Sequence, residues 1–139
     1  LATLLAGQAY IRFEPRGQYI GTEPYSKWTK PSCVLIGEDN YSDASGFPYV
    51  YKTLGIGKLI GAPVPGTMTA VWWETQIDPS IVFGIPQVGS VGTKEGRYLE
   101  NMQVEPDILV YNDPASVLRG EDKQLEAAVK EMLKTIDNK

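Results

Sequence analysis

The stretch from Cys33 to Gly61 constrains the fold of this chain more than any other part of it. It reads CVLIGEDNYSDASGFPYVYKTLGIGKLIG: an apolar run, polar residues with Ser42, an aromatic-rich segment that ends at two glycines, and a second apolar run. This order predicts a strand, a turn, a helix and another strand. The turn would expose the Ser42 hydroxyl at a helix N-terminus, where backbone N–H groups and the helix dipole stabilise a developing negative charge.

The remaining pattern predicts an α/β fold with a partly parallel sheet, because strands and helices interleave along the chain. The apolar runs and turn signals place strands at 9–13, 32–37, 58–60, 69–77 and 80–85, and helices at 2–6, 43–54 and 122–137. Pro48 predicts an irregular first turn in the second of these helices. The last helix should begin at a capping Asp122 and pack an apolar stripe on the core. That stripe consists of Leu125, Val129, Met132, Leu133 and Ile136.

Composition narrows the classes of function. The chain has 139 residues and a net charge of −4, which suits one domain and offers no basic footprint for nucleic acid or an anionic membrane surface. No apolar run approaches the roughly 20 residues that span a bilayer. With no histidine and with Cys33 as its single cysteine, the chain is not expected to hold a metal or a cofactor. Cys33 lies in an apolar run and is interpreted as a buried structural thiol.

Ser42 and Glu100 each have two interpretations when the residues are considered alone. Serine and aspartate are preferred helix caps, so Ser42 and Asp43 favour a cap over a nucleophile. Lys52 is an unsuitable base because it lies about three turns along the same helix, whereas Lys58 remains a candidate. Glu100 is best interpreted as a carboxylate in a solvated turn.

Three blocks of sequence change this balance: EDNYSDASGFPYVYKTLGIGKLIGAP, YLENMQVEPDILVY and DKQLEAAVKEML. In this order they resemble the second half of the catalytic domain of tricorn-type serine peptidases, which belong with the tail-specific, C-terminal processing peptidases. The resemblance implies peptide-bond hydrolysis by a crotonase-like (ClpP/crotonase-type) β/α domain that is incomplete here. Residues 1–139 would be the C-terminal part of that catalytic domain, and its upstream half and any PDZ-like domain would precede Leu1.

The resemblance also implies roles for particular residues. Ser42 would be the nucleophile, the amide of Asp43 would contribute to the oxyanion hole, and Glu100 would support the catalytic histidine through a second serine. That histidine and serine would lie upstream of Leu1, so the chain alone is expected to be inactive. The tail-specific branch carries a lysine around the loop at 63–67. This chain has none there, which favours the histidine-dependent arrangement.

Two alternatives remain open. One is a non-catalytic module that binds apolar ligands on the same scaffold, similar to the retinoid-binding repeats of the photoreceptor matrix, with Trp72, Trp73, Phe83 and Tyr98 lining its pocket. The other is a degenerate structural remnant, suggested by Gln103 where many relatives carry glycine. The expected partners are a peptide or protein substrate and a second copy of the chain, because missing strands would leave a sheet edge open. The compartment stays unknown, with the cell envelope or periplasm slightly favoured over the cytoplasm.

Overall fold

The structure is a computed structural model that describes residues 1–28 and 30–137. A parallel sheet lies at its centre. The helices are α1 (Ala2–Leu5), α2 (Asp43–Thr53), α3 (Pro114–Leu118) and α4 (Lys123–Asp137), and the strands are β1 (Ile11–Phe13), β2 (Gly21–Glu23), β3 (Cys33–Ile36), β4 (Lys58–Gly61), β5 (Thr69–Thr75), β6 (Val82–Gly89) and β7 (Ile108–Leu109). The sheet has the order β3-β4-β7 with parallel pairing, and β1-β2 and β5-β6 are antiparallel pairs. The mixed α/β fold predicted from the sequence is therefore confirmed.

The middle strand β4 forms the core because both of its faces are covered, as is usual for parallel sheets. Leu59 and Ile60 are fully buried, and Leu59 packs in one cluster with Ile36, Tyr51 and Val64. Burying side chains of this size contributes about 1.5–3 kcal/mol each. Gly61 ends the strand with φ +136°, and a Cβ there would collide with the Ile36 carbonyl. The strand can therefore end in this way only with glycine.

Tyr51 fastens α2 to the sheet. Its side chain is fully buried, and a hydrogen bond of 2.8 Å joins its hydroxyl to Ser32 Oγ. A Cβ at Gly57 would collide with the Tyr51 hydroxyl, so this glycine also makes room for the anchor. The helix thus has a fixed position over β3 and β4, and its N-terminus lies at the end of the sheet where β3 finishes.

Pro48 does not interrupt α2, and the predicted irregular first turn is wrong. Proline has no N–H to donate to the carbonyl four residues earlier. That carbonyl belongs to Ala44, and it accepts a hydrogen bond of 2.8 Å from Asn40 Nδ2 instead. Because the side chain of Asn40 replaces the missing donor, the helix runs continuously from Asp43 to Thr53.

The apolar face of α4 is less buried than its pattern predicts. The predicted cap is confirmed, since Asp122 Oδ1 accepts a hydrogen bond of 2.9 Å from the Leu125 N–H. The helix contacts β3 and β4, with Ala128 buried and Met132 half-buried. The other four residues of the predicted stripe remain 50–56% exposed: Leu125, Val129, Leu133 and Ile136. The prediction of a packed stripe is wrong for these four, because the helix approaches the sheet over the small side chain of Ala128.

The strands β5 and β6 form a hairpin that follows β4 in the chain. Its turn lies at Asp78-Pro79, between the strands predicted at 69–77 and 80–85, and Asp78 Oδ1 accepts hydrogen bonds there from the N–H and the hydroxyl of Ser80 at 3.0 and 2.8 Å. The strand β6 runs on to Gly89, four residues beyond the end of the strand predicted at 80–85. Within the described part of the chain, no helix is long and apolar enough to cross a membrane.

Candidate active site

Ser42 occupies a strained position between the end of β3 and the start of α2. Its backbone has φ 54° and ψ −118°, a conformation that residues with a Cβ rarely adopt and that costs about 1–3 kcal/mol. It stands at the N-cap of α2, yet its side chain makes no capping hydrogen bond. Its side chain is exposed. The capping interpretation therefore does not describe what this hydroxyl does.

The N-terminus of α2 presents a backbone donor beside Ser42. Asp43 is the first helical residue, and first-turn N–H groups have no partner inside a helix. The N–H of Asp43 has no hydrogen-bond acceptor among residues 1–28 and 30–137. A donor of this kind, aligned with the helix dipole, is suited to stabilising a negative oxygen.

Glu100 is held by the segment that leads into β5. Its Oε2 accepts hydrogen bonds from the Met68 N–H at 2.7 Å and from Thr69 Oγ1 at 2.8 Å. These two donors, the Thr69 hydroxyl first, hold the pKa of Glu100 below its ordinary value. The next residue, Asn101, has φ 59° and donates its N–H to the Gly66 carbonyl at 2.7 Å. Glu100 is therefore an ionised carboxylate in a fixed position, not the solvated turn residue of the simplest interpretation.

The segment Thr67–Thr69 connects Ser42 to Glu100. Thr67 Oγ1 accepts a hydrogen bond of 2.9 Å from the Ser42 N–H, and the two following residues bind the carboxylate of Glu100. Ser42 and Glu100 both line one cleft of about 460 Å³. Its complete lining is Tyr41, Ser42, Thr67, Thr69, Val71, Gly84, Pro86 and Glu100. The structure thus brings the predicted nucleophile and the predicted supporting carboxylate together.

The two lysines that the sequence offered as bases lie elsewhere. Lys52 Nζ donates to the Glu105 carbonyl at 2.7 Å and lies 3.3 Å from Asp107 Oδ1. Lys58 forms an ion pair with Glu131 of α4. In the parallel register Lys58 pairs with the first residue of β3, whereas Ser42 follows the last. Lys58 is therefore no longer a candidate base, and the rejection of Lys52 is supported.

The side chain of Cys33 is half-buried, less than the structural interpretation predicts. Burial, with a smaller contribution from the Glu131 carboxylate, raises the pKa of its thiol and favours the unreactive protonated form. In the described ranges, no three histidine, cysteine, aspartate or glutamate side chains converge on a position that could hold a metal ion.

Three residues beside Ser42 were missed by the sequence analysis: Asn40, Ser45 and Thr67. Asn40 stabilises the turn, since its Oδ1 accepts the Gly37 N–H at 3.1 Å while its Nδ2 caps the Ala44 carbonyl. A short polar residue before a helix is a recognised turn signal, so Asn40 was available from sequence. No local pattern marks Thr67, because its contact with Ser42 crosses 25 positions of sequence.

This geometry agrees with what the sequence shares with known proteins. The family model for Peptidase family S41 matches residues 6–110, and the chain belongs to this family. A protein of Chlamydia pneumoniae is 34% identical over 105 residues, which are 75% of this chain and 16% of that protein. The tricorn protease of Thermoplasma acidophilum is 28% identical over 124 residues, or 89% of this chain and 12% of that protein. The family predicted from the three sequence blocks is confirmed.

Solved structures show the same fold. The crystal structure of the tricorn protease matches with a TM-score of 0.76 at 23% identity, over 94% of this chain and 13% of that one. The crystal structure of mature CPAF matches with a TM-score of 0.53 at 28% identity, over 66% of this chain and 18% of that one. The chain thus spans less than a fifth of the length of each of these relatives.

Proposed function

We propose that this chain supplies the nucleophile, one oxyanion-hole donor and a supporting carboxylate to a serine peptidase with a crotonase-like catalytic domain. Ser42 would attack the carbonyl carbon of a peptide bond. The N–H of Asp43 would stabilise the negative oxygen that forms, and Glu100 would orient the general base. Membership of a peptidase family supports peptide-bond hydrolysis as the reaction.

One observation carries the proposal: a strained serine at a helix N-terminus opens into a cleft that also contains an ionised carboxylate. Ser42 makes no capping bond, so its hydroxyl is available to a substrate. The N–H of Asp43 has no acceptor among the described residues. Strain retained at an exposed serine is characteristic of functional sites, where the surrounding structure holds it in place.

The base in this proposal is a histidine contributed by sequence upstream of Leu1. The 139 residues contain no histidine, and Lys52 and Lys58 are engaged away from Ser42. Glu100 uses only Oε2 for its bonds to residues 68 and 69. Neither of these bonds uses Oε1, which would accept a hydrogen bond from the serine or histidine of the proposal. If the histidine comes from upstream sequence, residues 1–139 are the C-terminal part of the catalytic domain, which is the division proposed from the sequence.

The test is covalent labelling of the full-length gene product with a fluorophosphonate probe, followed by peptide mapping. We expect the probe on Ser42 and no labelling of Ser42→Ala. Ser80→Ala, at the exposed hairpin turn, is the matched control and should label like the wild type. A folded wild-type protein that does not react at Ser42 would refute the proposal.

The isolated 139-residue chain provides a second test. Without a base, it should hydrolyse casein and fluorogenic peptides no faster than its Ser42→Ala variant. Turnover by the isolated chain that disappears on Ser42→Ala would contradict the assignment of the base to upstream sequence.

The apolar-ligand alternative has no comparable support. Trp72, Trp73, Phe83 and Tyr98 are all exposed, and none of them lines the cleft of Ser42 and Glu100. Binding of an apolar ligand therefore stays a prediction from the resemblance to retinoid-binding repeats and from these aromatic residues.

A further inference from the structure

A buried hydroxyl lies directly behind the strained turn. Ser45 is 1% exposed, and its Oγ contacts three oxygen atoms: the Pro65 carbonyl at 2.8 Å, Thr67 Oγ1 at 2.9 Å and the Asn40 carbonyl at 3.0 Å. Thr67 Oγ1 in turn accepts the Ser42 N–H at 2.9 Å. Two hydroxyl groups thus connect the backbone of Ser42 to the loop that precedes β5.

Either hydroxyl could donate in the contact between Ser45 and Thr67, and counting protons favours one direction. Each hydroxyl has one proton to donate. Ser45 Oγ is the acceptor that the described residues offer the Thr67 hydroxyl, and donation to it leaves the Ser45 proton for a carbonyl. The Ser45 hydroxyl then donates to a carbonyl, and Pro65 offers the shorter contact. The result is a relay from the Ser42 N–H to the Thr67 hydroxyl, to the Ser45 hydroxyl and to the Pro65 carbonyl, in which the Asn40 carbonyl receives no proton from Ser45. Bonds arranged head to tail in this way strengthen one another.

We propose that Thr67 and Ser45 are positioning residues that keep Ser42 in its strained conformation and thereby prevent its hydroxyl from capping α2. This inference rests on the proposed function. An unstrained serine at the N-cap accepts a hydrogen bond from the second or third helical N–H, here that of Ala44 or Ser45. In that state the hydroxyl would be turned onto its own helix. The relay prevents this by holding the Ser42 N–H, and with it the peptide plane before Ser42.

The same segment also sets the position of Ser42 relative to Glu100. Thr67 binds the Ser42 amide while the following residues, Met68 and Thr69, bind the carboxylate. The loop is itself fixed by the paired bonds of Val64 and Val104, each 3.0 Å long. A change at Thr67 therefore acts on the serine through its backbone.

The test uses the full-length gene product and four variants. Thr67→Val keeps the shape of the side chain and removes its hydroxyl, Thr67→Ser keeps the hydroxyl, and Ser45→Ala breaks the relay one link further on. Thr75→Val, on the exposed end of β5, is the matched control. For each protein, fluorophosphonate labelling is followed over a range of probe concentrations to separate the inactivation rate from the binding constant. Exchange of the Ser42 amide hydrogen and the melting temperature are measured on the same samples.

We expect Thr67→Val to slow inactivation at Ser42 by about tenfold or more, as for the loss of the hydrogen bond that holds a strained turn. The binding constant for the probe should stay the same, and the Ser42 amide should exchange faster. Thr67→Ser should remain within about twofold of the wild type. Ser45→Ala should follow Thr67→Val, which provides a second test if Thr67→Val folds poorly.

Two results would overturn the inference: wild-type inactivation and amide exchange in Thr67→Val, or a Thr67→Ser variant as impaired as Thr67→Val with an unchanged melting temperature. A wild-type protein that never labels refutes the proposed function instead. The exchange of the Ser42 amide then still decides whether the relay holds the turn.

Discussion

The hydrogen bond from Asn40 to the Ala44 carbonyl leads to a quantitative prediction, because Pro48 leaves that carbonyl without its helical donor. Asn40→Ala removes two hydrogen bonds, from Nδ2 to the Ala44 carbonyl at 2.8 Å and from the Gly37 N–H to Oδ1 at 3.1 Å. A typical bond contributes about 0.5–1.5 kcal/mol net, so two bonds correspond to about 1–3 kcal/mol. Asn40 is only half-buried, which places the expected loss at about 2 kcal/mol.

A double-mutant cycle isolates the part of this loss that belongs to the helix. In Pro48→Ala the backbone of residue 48 regains an N–H, which can donate to the Ala44 carbonyl in the ordinary helical manner. Removing Asn40 should then leave that carbonyl satisfied. We expect the cost of Asn40→Ala to fall by about 1 kcal/mol in the Pro48→Ala background, the value of one hydrogen bond.

The assay is urea denaturation of the wild type, the two single variants and the double variant, monitored by tryptophan fluorescence and far-UV circular dichroism. The slopes should agree, so that differences in midpoint report stability alone. Asp39→Ala, at the exposed neighbouring position, is the control and should change stability by less than about 0.5 kcal/mol. An identical cost of Asn40→Ala in both backgrounds would refute the idea that Asn40 substitutes for the missing proline donor.

Two further predictions concern the core and the cleft. Leu59→Ala should lower the free energy of unfolding by about 3 kcal/mol because Leu59 is fully buried. The control Leu118→Ala, at a position 88% exposed, should change it by less than about 0.5 kcal/mol. Equal effects of the two substitutions in urea denaturation would contradict the assignment of β4 to the core. Hydrogen bonds lower the pKa of Glu100 from its ordinary 4.5, so its carboxylate adds stability above pH 4.5 that is lost as the pH falls through the lowered pKa. Thr69→Val should raise the pKa of Glu100 in an NMR titration. An unchanged pKa would exclude the Thr69 hydroxyl as the main cause of the shift.

The central strand, turn and helix were predictable because their signals are local. The apolar run before Ser42, the helix cap at Asp122 and the turn at Asp78-Pro79 each depend on a few neighbouring residues. The continuity of α2 was not predicted, because the usual effect of Pro48 was applied without a substitute donor. The exposure of the α4 stripe was also unpredictable, since periodicity identifies an apolar face but not how much of it the sheet covers.

The candidate site was predicted in outline and not in its connections. Resemblance singled out Ser42 and Glu100, and the structure places both in one cleft. The resemblance gave no indication of Thr67, because its contact with Ser42 joins a backbone N–H to a hydroxyl far along the chain. Such contacts depend on the register of β3 and β4 and on the path of the loop between β4 and β5, which single-sequence patterns do not encode.

The dependence of the Ser42 turn on Thr67 has a consequence for how the chain is made. A ribosome releases residue 42 well before residue 67, and Glu100 later still. Until those residues arrive, the bond from the Ser42 N–H to Thr67 cannot oppose the relaxation of Ser42 into an ordinary helix cap. The bent serine and its cleft can therefore arise only after β3 and β4 have paired and the following hairpin has closed, so a half-made chain does not carry the finished site.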